Sequence, residues 1–196
     1  ITALTSGIVV FLKDRKGLVN RTWLGTAFTS AMWSLGYFAM ISSTTKTMAW
    51  WSNWFLHAFA IFIPAFHLHF VIALTESKKE KWSLISAYLI SIMLFLINPS
   101  RLFIHDVFPK FIFNYCCDAV PLYIYFALYF VISVLYSWYI LIRTIKKEKG
   151  LRSLQLKYFF LSSATQILAF SWLIASLAMR VLPITYHVCI ITYKFM

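Results

Sequence analysis

Five long apolar runs limit what this chain can fold into. Thr22–Ser42, Trp51–Leu74, Trp82–Asn98, Ala119–Ile142 and Tyr158–Ala178 each reach or approach the length of about 20 residues that a helix needs to cross a bilayer. Only 12% of the residues are charged and 61% are hydrophobic, with a mean hydropathy of +0.77. A soluble domain carries roughly 25% charged residues, so this chain lacks the charge to cover a surface with water and must be covered by lipid. A membrane β-barrel would show segments of about ten residues with alternating polarity; these runs are continuous, and 5 Gly and 5 Pro leave room for long helices. The expected class is therefore all-α, an integral membrane helical bundle.

Two shorter apolar runs, Ile1–Leu12 and Val181–Tyr193, flank the five. Counting them gives about seven transmembrane helices in one domain over residues 1–196, near 1–12, 22–42, 51–74, 82–98, 119–142, 158–178 and 181–193, the first and last incomplete. The chain reads as part of a longer protein, with no signal peptide in view.

Most of the 18 basic residues fall in alternate loops. Lys13, Arg15, Lys16 and Arg21 lie between the first two helices, and Lys78, Lys79 and Lys81 between the third and fourth. Arg143, Lys146, Lys147, Lys149, Arg152 and Lys157 lie between the fifth and sixth. The opposite loops hold only Lys46, Arg101, Lys110 and Arg180, with Lys194 at the far end. Positive loops stay cytoplasmic, which puts the N-terminus outside and the C-terminus in the cytoplasm of a multi-pass inner-membrane protein. The net charge of +12 thus speaks to topology, and nucleic acid is not an expected partner.

The loop Pro99–Asp118 is the longest on the outer side and repeats Leu102, Phe103, Ile104, Val107, Phe108, Phe111 and Ile112. It reads as a short amphipathic element in the headgroup region, or as a lid folded over the bundle. Gly25 with Thr29, and Ser30 with Ser34, are small residues at the spacing that lets helices pack closely. Ser162, Thr165, Ala169 and Ser176 offer a similar face.

Five histidines sit in this apolar setting. His67 and His69 lie near the inner end of the third helix, and at about 100° per residue their rings point to opposite faces. They cannot converge on one metal, and Pro64 is expected to kink the helix just before them. His57 lies about 9 Å below Trp51 by helical rise, in the outer leaflet, where an ionisable group is a functional hypothesis. The other reading is an imidazole hydrogen-bonded to a neighbouring helix. Asp118 is an isolated charge able to line an outward cavity, with Trp54, Tyr115 and Tyr123 as aromatic walls. These five residues form the candidate ligand site.

No phosphate-binding loop, dinucleotide fingerprint or nucleophile elbow is present, and Cys116, Cys117 and Cys189 lack zinc or redox spacing. Neither a metal nor a cofactor such as haem or retinal is expected, and the chain itself reads as non-catalytic.

Several stretches together resemble the seven-transmembrane sensor region at the N-terminus of bacterial histidine kinases and some diguanylate cyclases. They are Asn20, Trp33 and Gly36; "FIPAFHLHFVIALT" (Phe62–Thr75); "YSWYILIRTIKKEKGLRSLQLKYFFL" (Tyr136–Leu161), with its Arg-x-x-Gln-x-x-Tyr pattern; Leu182-Pro183; and "ITYKFM" (Ile191–Met196). The resemblance implies a sensory domain that couples an external or in-membrane cue to a cytoplasmic output domain. Membrane lipids, a small ligand, that output domain and a second copy of the chain are the partners it implies. The alternatives are a small transporter and a non-catalytic subunit of a larger membrane complex.

Overall fold

A computed structural model describes residues 2–110, 113–119 and 122–164. It is predominantly helical, and its contacts divide it into a unit of residues 1–144 and a second of residues 145–196. The expected segment 181–193 and most of 158–178 lie outside the described residues.

Helix α1 (Thr2–Lys13) is joined to α2 (Leu18–Ile41) by a turn that Asp14 organises. Its Oδ1 accepts from the backbone N–H of Lys16 (3.0 Å) and of Gly17 (3.2 Å), and the Asn20 amide donates to its carbonyl (3.1 Å). An Asx turn of this kind offers the chain a reversal without help from tertiary contacts. The inward face of α2 carries Thr22, Thr26, Ala27, Thr29, Gly36 and Met40. Small-residue packing is real here but differs from the expected stripes. Gly25 receives the ring of Phe66, whereas Ser34 is exposed and donates to the carbonyl of Ser30 in its own helix (2.9 Å). The closest approach of a glycine to another helix's backbone is at Gly36, where an added Cβ would stand 2.8 Å from Leu56 Cα. Backbone meets backbone there, as apolar solvent demands of helices that must associate by packing.

The third apolar run is two helices. Helix α3 (Lys46–Ala60) starts at Thr45, whose Oγ1 accepts from the N–H of Met48 (3.3 Å), an N-cap bond. It stops at Ile61–Phe62, and α4 (Ile63–Leu74) begins with Pro64 in its first turn. Pro64 has no N–H for the carbonyl of Ala60, so the helical ladder must break one turn earlier. A side chain reinforces the break: Ser91 Oγ donates to the neighbouring carbonyl of Ile61 (3.1 Å).

Helix α5 (Lys81–Ile97) is bound to α6 (Tyr123–Ile145) by hydroxyl groups at successive turns. Ser83 donates to Tyr136 Oη (3.1 Å), Tyr129 Oη donates to the carbonyl of Ala87 (3.1 Å), and Ser91 Oγ lies 2.9 Å from Tyr129 Oη. Residues 83, 87 and 91 share one helical face, and their partners run down α6 in the opposite sense. Among the described residues, two helical stretches, Lys46–Leu74 and Tyr123–Ile145, are long and apolar enough to cross a membrane.

The loop after α5 contains regular structure that the sequence did not announce. Strands β1 (Ile104–Lys110) and β2 (Phe113–Ala119) pair antiparallel, with Val107 opposite Cys117 and Asp106 opposite Asp118. The register slips between Phe108 and Lys110, where Pro109 has no N–H to give the ladder. Phe103, Ile104 and Val107 are buried, and both strands contact α3. The loop is thus a hairpin folded onto the helices, in place of an amphipathic element lying in the headgroups.

In the second unit a helix, α7, runs through residues 150–164. It starts at Gly150, whose φ of +68° suits glycine, and Glu148 and Arg152 form an ion pair (3.8 Å) at its beginning.

Candidate functional site

On α3 the residues Ala49, Asn53, Leu56, His57 and Ala60 recur at helical spacing and are buried. This stripe carries Asn53 and His57 into the protein one turn apart. His57 Nδ1–H donates to the carbonyl of Asn53 (2.9 Å). A carbonyl can only accept, so Nδ1 carries the proton, and in the neutral ring Nε2 is left as an acceptor.

Three aromatic rings surround that imidazole. The centroids of Phe103 and Tyr123 lie 5.6 Å from it and that of Phe126 lies 6.4 Å away, at interplanar angles of 79°, 81° and 78°. The three also touch one another at 5.4–5.9 Å. Edge-to-face pairs of this kind contribute about 0.5–1.5 kcal/mol each beyond their buried area. The cage fastens α3 to α6 and to the segment leading into the hairpin.

Of the five candidate site residues, His57 and Tyr123 are brought into contact. Trp54 takes part differently: its carbonyl accepts from the Asn98 side-chain amide (3.0 Å), tying α3 to the end of α5, while its ring packs edge-on against Trp51. Tyr115, half-buried, and Asp118 sit on β2, which contacts α3; the side chain of Asp118 lies outside the described residues. Asn53, Asn98, Phe103 and Phe126 belong to this region too and carried no motif. Asn98 offered one clue, a polar residue closing an apolar run before Pro99.

The hairpin is fastened at a second point. Lys46 Nζ and Asp106 Oδ2 pair at 2.5 Å on an exposed flank, joining β1 to the start of α3. The Lys46 hydrogen bond, helped by the N–H of Val107 (2.8 Å), holds the Asp106 carboxyl below the usual carboxylate range.

At the opposite ends of α5 and α6 lies a charged network. Glu80 accepts from Tyr136 Oη and from Arg143 Nη2 (3.3 Å), and the Arg143 guanidinium lies 5.9 Å from the Tyr139 ring centroid. Glu80 is buried while Arg143 is partly exposed, so the carboxylate is the member that depends on its partners. His69, by contrast, hydrogen-bonds Tyr88 Oη on α5 (3.0 Å), and His67 is buried in α4. Among the described residues, no three His, Cys, Asp or Glu side chains gather as a metal site.

A family model for the N-terminal 7TM region of histidine kinase matches residues 1–196. No curated protein and no solved structure matches the chain.

Proposed function

We propose, since the chain belongs to the family of N-terminal 7TM regions of histidine kinase, that it is the sensory domain of a receptor of that kind. It is one transmembrane domain of seven helices over residues 1–196, N-terminus outside and C-terminus in the cytoplasm of the inner membrane. It couples a cue to a cytoplasmic kinase in the parent protein, which works as a dimer. The cue is a small ligand read among Trp54, His57, Tyr115, Asp118 and Tyr123.

The observation that carries this reading is the cage around His57. It joins α3, α6 and the approach to the hairpin at one point, so a molecule that displaces one of these rings changes how the helices pack. Helix α6 continues from the cage past the Ser91–Tyr129 and Ser83–Tyr136 contacts to Arg143 and the basic loop. Two packings of such a bundle, differing in ligand affinity, suffice to transmit a signal.

His57→Phe keeps a ring in the cage and removes both nitrogens; Asp118→Asn removes a charge. In the full-length parent protein, both variants should insert normally and autophosphorylate at the basal rate without responding to the cue. A normal response by both would exclude this site.

A further inference from the structure

The outer end of α3 gathers buried polar groups that the protein does not satisfy. Asn53 Oδ1, Trp54 Nε1 and Asn98 Oδ1 are shielded from solvent, and none meets a partner among the described residues. Asn53 is 2% exposed and Asn98 4%. Roughly nine in ten buried polar groups in proteins are hydrogen-bonded, so three orphans at one turn call for a molecule that satisfies them. Asn53 and Trp54 are consecutive residues, about 100° apart around α3, and the Asn98 amide is held beside them by its bond to the Trp54 carbonyl. That bond also fixes the orientation of the Asn98 amide, since only its nitrogen can donate there.

The three unpartnered groups are themselves uncharged. No Asp, Glu, Lys or Arg lies between Thr47 and Leu74, and Lys46 and Asp106 neutralise each other. An ion placed there would lack a counter-charge. The groups on offer are two amide oxygens, which accept, and one indole N–H, which donates. A primary carboxamide supplies the complement, two N–H donors and a carbonyl, and it pairs reciprocally with an asparagine whichever way that amide is turned. One turn further along α3, the rings of Phe103, Tyr123 and Phe126 pack around His57, so the neighbourhood of such a head group is apolar.

We infer that the turn of α3 bearing Asn53 and Trp54, closed by Asn98, binds a small uncharged molecule with a carboxamide head on an apolar body. The inference deepens the sensory reading and rests on it for its purpose, but its test reads binding alone. Benzamide is the probe, titrated into the purified intact protein in nanodiscs by calorimetry. Benzoate and toluene are the controls, the first charged and the second without a polar head. Saturable binding of benzamide is expected, with benzoate and toluene at least tenfold weaker. Trp54→Phe keeps the ring and loses the N–H, and Asn98→Leu loses the amide; each should weaken benzamide by tenfold or more. Absence of saturable binding, equal affinity for toluene, or unchanged affinity in Trp54→Phe would overturn the site, as would variants that gain thermal stability while benzamide leaves the wild type unchanged, because buried water then satisfies these groups. A failed titration leaves the sensory role itself to the phosphorylation experiment.

Discussion

Gly36 and Ser91 hold helices together in opposite ways, and their substitutions should differ in cost. A Cβ at Gly36 would meet the Leu56 backbone at 2.8 and 2.9 Å, and backbone cannot rotate aside as a side chain can. Gly36→Ala must therefore push α2 from α3, at a cost of about 1–3 kcal/mol, the range for overpacking. Ser91→Ala removes the donor to Ile61 and a partner of Tyr129. Interhelical hydrogen bonds in membranes are worth about 0.6 kcal/mol on average and up to about 1.7, so it should cost roughly 1 kcal/mol. Denaturant titration of the purified protein in micelles should rank Gly36→Ala as the more damaging; the reverse order would show that hydrogen bonding, not close packing, limits this bundle. At this scale sequence reading singled out His57 as a candidate, because an ionisable ring in an apolar run stands out. It missed Asn98, which reaches Trp54 only because α5 returns beside α3. Nothing local records that meeting.

Among elements, the hairpin is fastened by charge as well as by packing. The Asp106 carboxyl is depressed in the folded protein by Lys46. A depressed carboxylate contributes its hold above its unfolded pKa and loses it as pH falls through the folded value. Amide protection in Ile104–Lys110, the exchange rate taken relative to that of the unfolded chain at the same pH, should accordingly be high at neutral pH and fall below the usual carboxylate range. Asp106→Asn should show the same protection at both. A wild-type hairpin equally protected at pH 3 and pH 7 would show that Phe103, Ile104 and Val107 hold it unaided. The elements differed in legibility for a physical reason. Helices in lipid satisfy their own backbone, so apolar length announces them, and Pro64 announced the break after Ala60. The strands carry no Asn-Gly or Asp-Gly turn, and their apolar residues resemble an interfacial segment as much as a ladder.

For the whole molecule, the distribution of lysine and arginine carries the proposed orientation. Single cysteines at Ser77 and Ser153, in a background without the native thiols, should resist an impermeant maleimide added to intact cells and react once the membrane is opened. Labelling from outside would invert the topology. Membership of the histidine kinase 7TM family, by contrast, was readable from scattered residues such as Trp33, Gly36 and the Arg152-x-x-Gln155-x-x-Tyr158 pattern, because helix starts and close contacts restrict residue type.

The interruption at Ile61–Phe62 turns one apolar span into a lever. Its first arm, α3, has 15 residues and is about 22 Å long at ~1.5 Å per residue. A tilt of about 5° about the joint displaces the Lys46 end by roughly 2 Å, by the same rise, while the Ile61 carbonyl barely moves from Ser91. The fulcrum is thus the point held by Ser91, and the far end, carrying the hairpin with it, travels the farthest.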